Sequence, residues 1–286
     1  MDSGAETPSC LYQMITMVRQ SNLIEIILLG TFILASWLAP PGLYAQSQGT
    51  PVATLVEKAR AAGIPDHKLN QVLTSSVDHR LAPADTSAIL EVLIMAQTAN
   101  LPVEPFVTKI EEGLAKGVPV QAIVAALEQK ADDYRFVQTL LLRAVPSVKG
   151  QPLPENDLTS IVNSLNGGVS RQELTKFIEE APAAPVSMLA IAAENLALLR
   201  QMGFEETLTS RILSTGLRLK SFSPSWRHLP RIVVAARGKG MSDPDIAEAA
   251  VKALSEKRDV AGLMQMLGFT GRDLRHGPSA GSSKTP

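Results

Sequence analysis

The sequence predicts an all-α protein, a helical-hairpin array of α-solenoid type placed right after an N-terminal signal peptide. Three observations carry that prediction: a turn-and-helix pattern that recurs along the chain, no segment that alternates like a strand with hairpin punctuation, and an apolar content built on Leu, Ala, Ile and Val with only 4% aromatics. Helical cores can be filled that way, whereas β-sandwiches lean harder on β-branched and aromatic residues.

The recurring pattern is a small or turn residue, an apolar residue and a helix-starting residue, with apolar residues at the sixth and tenth positions after the first. Gly63-Ile64-Pro65 leads to Leu69 and Leu73, and Asn100-Leu101-Pro102 to Phe106 and Ile110. Gly117-Val118-Pro119 leads to Ile123 and Leu127, and Pro152-Leu153-Pro154 to Leu158 and Val162. Gly168-Val169-Ser170 leads to Leu174 and Ile178, and Gly240-Met241-Ser242 to Ile246 and Ala250. Gly203-Phe204-Glu205, with Thr209 and Leu213, is a looser copy. Gly or Asn accepts the left-handed conformation that ends a helix. The next apolar residue tucks under the turn as a staple. Pro fits the first helical turn, and Ser can cap it. Apolar residues four apart share one helix face.

Successive copies start at positions 63, 100, 117, 152, 168, 203 and 240, close to one or two units of a common length. One unit of about 17 residues fits a helix and a short turn, and two units fit a helical hairpin. Between the copies, Thr86 to Gln97 places Ile89, Leu90, Leu93 and Ile94 on one face. Ser187 to Met202 is apolar nearly all round and is expected to be buried. Val251 to Leu267 reads as two short helices broken near Arg258-Asp259, with Gly268 as the final cap.

The leader gives the strongest local signal. Ile26 to Ala39 is a charge-free apolar run, with Arg19 before it and Gly42 to Ala45 after it. That is signal-peptide grammar, and the run falls short of a membrane span of about 20 residues. Residues 1–45 are therefore assigned to a signal peptide, with Met17 giving a more ordinary start than Met1; an uncleaved N-terminal anchor is the alternative. Residues 46–270 form the helical-repeat domain, and 271–286, rich in Gly, Ser, Pro and Lys, form a disordered tail. The expected location is periplasmic or secreted. The only cysteine, Cys10, lies in the leader, which leaves the body without a thiol for a disulfide or a metal.

The stretch Phe106 to Lys130, FVTKIEEGLAKGVPVQAIVAALEQK, resembles segments of exported bacterial proteins of unknown function. The resemblance is confined to that stretch; it implies a bacterial envelope setting and no activity.

Chemistry-bearing motifs are sparse. His67, His79, His228 and His276 have no metal-ligand spacing, and no nucleophile elbow, P-loop or EF-hand pattern occurs. Catalytic, cofactor and metal residues are accordingly assigned to none. The carboxylate pair Glu111-Glu112 reads as solvated helix surface beside Lys109 and Lys116, and Glu205-Glu206 as a helix start.

With 27 Lys+Arg against 28 Asp+Glu the charge nearly cancels, which excludes a strongly basic nucleic-acid binder. Locally it does not cancel: Thr207 to Ser242 holds no acidic residue. The candidate binding surface is Arg211, Arg218, Lys220, Trp226, Arg227, His228, Arg231, Arg237 and Lys239, with Arg227 and Arg231 four apart and expected to share a face. The competing expectation is that these cations pair with carboxylates of neighbouring helices and that Trp226 is core. Three functions follow: a non-enzymatic scaffold binding another envelope protein, an envelope protein binding anionic lipid or a cell-wall polymer through 211–239, and an enzyme with an unrecognised site. The export signal disfavours nucleic acid as a partner.

Overall fold

The computed structural model describes residues 50–148 and 150–269. The signal peptide assigned to 1–45 and the tail assigned to 271–286 lie outside them. The described residues belong to the second of two units into which the chain divides, beginning at Gly49.

Among the described residues there are twelve α-helices and no strand. They are α1 (Val52–Ala61), α2 (Asp66–Asp78), α3 (Pro83–Thr98), α4 (Glu104–Ala115), α5 (Val120–Ala144) and α6 (Glu155–Asn166). Then follow α7 (Arg171–Glu179), α8 (Val186–Gln201), α9 (Glu206–Arg218), α10 (Leu229–Gly238), α11 (Asp243–Ser255) and α12 (Val260–Met266). Short 3₁₀ turns, Pro146–Val148 and Pro224–His228, precede α6 and α10. No helix among the described residues is long and apolar enough to cross a membrane.

One turn closes most of these helices. At the end of α1, the Gly63 N–H donates to the Arg60 carbonyl at 2.9 Å and the Ile64 N–H to the Ala59 carbonyl at 3.0 Å. Gly63 is left-handed, with φ of 93°. This is a Schellman turn, which satisfies carbonyls that the last helical turn leaves free. The same pair of bonds recurs at Asn100, Gly117, Gly168, Gly203, Gly240 and Gly268, each also at positive φ. It recurs too at Arg80, Lys220 and Lys257, where no glycine or asparagine marks it.

Helix starts differ by one residue from the expectation. Pro65, Pro119 and Pro154 are N-caps in extended geometry rather than first helical residues. Proline's fixed φ suits that position as well, and its missing N–H costs nothing there. Ser170 and Ser242 do cap, accepting from the Glu173 and Asp245 backbone N–H groups. From Gly117 to Pro152 the spacing fits two helices, but the single long helix α5 fills most of it. No Gly, Asn or Pro lies between Val120 and Val145 to break it.

Much of the packing is next-but-one, with lapses between α4 and α6, α7 and α9, and α10 and α12. Helix α1 packs on α3, α3 on α5, α2 on α4, α6 on α8, α8 on α10 and α9 on α11, while α5 touches α3, α4, α6 and α7. The register has a long-range order as well. The left-handed Gly203, Lys220, Gly240 and Lys257 follow one another at the same intervals as Gly63, Arg80, Asn100 and Gly117. When the two stretches are aligned on those turns, Ile64 matches Phe204, Val72 matches Ile212, Leu93 matches Val233, Leu114 matches Leu254 and Ile123 matches Leu263. All ten side chains are buried.

The pattern positions read from the sequence make up much of the core. Leu69, Phe106, Ile123, Leu158, Leu174 and Ile246 are buried, as are their partners four residues on, except the half-buried Leu73. Replacing Leu69, Ile123 or Leu174 by Ala is expected to cost about 2–5 kcal/mol each in urea unfolding. Costs near zero at all three would show that these positions are not core.

Candidate functional site

The basic segment 211–239 does not act as one surface. Trp226 is fully buried: its Nε1 donates to the Arg258 carbonyl at 3.3 Å, and its ring meets Phe222 edge-on at 5.9 Å between centroids. A large apolar ring with a polar edge is stable inside once that edge finds an acceptor. Trp226 therefore belongs to the core and not to a binding face. Asn195, also fully buried, donates to the Trp226 and Ile191 carbonyls and ties α8 to the 3₁₀ turn.

Two of the arginines are committed internally. Arg227 donates to Ser160 at 2.9 Å and Asp157 at 3.3 Å on α6, and to Glu194 on α8. It lies in the 3₁₀ turn, whereas Arg231 lies in α10. The four-residue spacing that predicts a shared face thus spans a change of helix type, and Arg231 is exposed where Arg227 is half-buried. Arg237 forks onto Asp243 through Nε at 2.7 Å and Nη2 at 2.6 Å, donates to the Met202 carbonyl at 2.8 Å, and lies over the Phe204 ring. Hydrogen bonding from Arg237 holds the Asp243 carboxyl below the usual carboxylate range. Lys239 sits over the Phe269 ring at 4.0 Å, and His228 is exposed.

Arg211, Arg218 and Lys220 remain, and they share a cleft of about 640 Å³ between α7 and α9. Leu196 of α8, Leu213 and Leu217 of α9 and Phe177 of α7 supply apolar lining, and Ala181 to Ala184 form a wall after α7. The three cations and Lys176 line it beside Glu173, Glu180 and Glu206. Glu173 is already claimed by Arg200, whose bonding draws its carboxyl below the usual range. Lys176 faces Glu180 only at 3.9 Å. No carboxylate among the described residues pairs with Arg211, Arg218 or Lys220. Lys220 owes its place to the left-handed turn that ends α9, with φ of 50°.

The cleft sits at one of the places where the next-but-one packing lapses. Helices α7 and α9 do not make the close mutual contact that α2 makes with α4 and α9 with α11. Sequence reading finds the cations of the cleft but not its apolar lining, because Phe177 and Leu213 occupy positions that look like ordinary core. The other ionisable groups are dispersed. Among the described residues no three of His, Cys, Asp and Glu gather closely enough to hold a metal ion. Asp133, in the sequence pair Asp132-Asp133, is buried and takes bonds from Arg171 at 2.7 Å and Gln129 at 3.2 Å, which places it in the framework.

Comparison with protein-family models, with curated proteins and with solved structures finds no match to this chain.

Arg227 and Arg231 should separate experimentally. Arg227→Glu places a third carboxylate beside Asp157 and Glu194 and is expected to cost about 1–3 kcal/mol, whereas Arg231→Glu should stay within about 0.5 kcal/mol. Equal effects in thermal unfolding would refute the internal role of Arg227. Asp243 gives a pH signature. Its folded pKa is lowered, so its contribution is full above the unfolded value of about 3.9 and is lost as pH falls through the lower folded value. The destabilisation of Asp243→Asn relative to the native chain should hold steady above about pH 5 and shrink below about pH 4.

Proposed function

We propose that this chain is an exported, non-enzymatic helical scaffold that binds another protein of the bacterial envelope, and that the α7–α9 cleft is its working surface. The observation that carries this is the cleft itself: an apolar floor, unpaired cations at the lip, and helix faces on two sides. The next-but-one packing and the repeated register of left-handed turns support stacked helical hairpins, an architecture that offers extended binding surfaces. Export rests on the apolar run Ile26 to Ala39, and the envelope setting on that run together with the resemblance of 106–130.

A second reading takes the same lip to anionic lipid or a cell-wall polymer. The three unpaired cations favour it. With Trp226, Arg227 and Arg237 committed internally, though, the basic surface is narrower than the sequence implies, and the apolar lining has no role in polymer binding.

A photo-crosslinking side chain at exposed Ser214, inside the cleft, separates the two in living cells. A discrete protein adduct that disappears on Arg211→Glu with Arg218→Glu is the expected result. Adducts confined to lipid or wall material would replace the scaffold reading with the second one.

A further inference from the structure

We infer that the α7–α9 cleft receives an amphipathic helix of the partner protein, apolar on one face and carrying two carboxylates two helical turns apart beside it. This rests on the protein-binding function proposed above and specifies the partner's chemistry.

Length comes first. Along α9 and the turn that ends it the lining runs from Glu206 to Lys220, roughly 20 Å at 1.5 Å per residue. That is the length of a helix of about 14 residues.

The walls come second. Most helices here meet a neighbour two places along, as α2 meets α4 and α9 meets α11. Between α7 and α9 that contact lapses, leaving half-buried Phe177 and Ala181 and exposed Pro182 and Ala183 along the gap beside the buried Leu213 and Leu217. Helix-in-groove binding supplies the missing apolar face, read as anchors at i, i+3, i+4 and i+7.

Charge fixes the register. Arg211 and Arg218 are two turns apart on α9, roughly 10 Å. A helix lying along α9 reaches both with carboxylates at i and i+7. Of the cleft's three carboxylates, Glu173 is held by Arg200, Glu180 faces Lys176, and Glu206 lies at the start of α9, before both arginines.

A displayed library of helical peptides, each about 15 residues long to match the slot, tests this, with a leucine stripe fixed and all other positions randomised. It is selected on the full chain and, in parallel, on the full chain carrying Arg211→Glu and Arg218→Glu. Both arginines are exposed, and matched circular dichroism confirms that the variant is folded. The expected result is enrichment of Asp or Glu pairs at i and i+7 on the native chain. The best such peptide should bind the variant about tenfold more weakly, and its Glu→Lys counterpart should recover the loss. Peptides without the acid pair, equal binding to the variant, or no helical peptide recovered would each overturn the inference. So would sedimentation of the chain with phosphatidylglycerol vesicles in place of any peptide binding. Acid-pair peptides without a protein adduct in cells would leave the cleft's preference for an acidic helix standing and remove the scaffold reading; a protein adduct without acid-pair peptides would keep the scaffold reading and overturn the inference.

Discussion

The structure depends on how its helices end. A helix leaves its last carbonyls without partners, and burying them unsatisfied would cost more than most single contacts return. Ten times along the described chain the answer is the same two backbone bonds around one left-handed residue, from Gly63 to Gly268. That turn reverses the chain within a few residues and aims the next residue back at the helix it has left. Ile64, Leu101, Val169 and Phe204 use this to bury themselves. Helix spacing, the next-but-one packing and the matching of buried positions between the early and late turns all inherit their regularity from it.

The same turn explains what could be read from the sequence. Where Gly or Asn takes the left-handed place, as at Gly117 or Asn100, the helix end is visible, and the apolar positions that follow are core. Arg80, Lys220 and Lys257 adopt that conformation without the residue type that usually signals it. There the bonds to Ser76, Gly216 and Ala253 carry the turn, and a sequence pattern cannot display them. The opposite failure is α5: spacing alone fits a hairpin, yet the chain there lacks any residue able to interrupt a helix.

The basic segment was legible as composition but not as geometry. A run of cations says nothing about which of them point inward. Arg237 turns toward the nearby Asp243, and Arg227 toward Glu194 and Asp157 on helices well before it in the chain. Trp226 fills the space between α8 and the last helices. Forked and networked arginines are more ordered than isolated surface pairs, whose median contribution is about 0–1 kcal/mol. What is left at the cleft is a smaller set, Arg211, Arg218 and Lys220, and its meaning comes from Phe177, Leu196, Leu213 and Leu217, none of which looks distinctive in the sequence.

The lapse between α7 and α9 also bears on mechanics. Before it, α5 touches α7 directly; after it, α9 packs on α11. Across it the two sides are joined through α8, which touches α6, α9 and α10, and through Arg227, which reaches α6. The helices on either side are thus held to each other mainly through α8, as those before and after α5 are held through α5. Anything wedged between α7 and α9 would act as a strut, adding a second support beside α8.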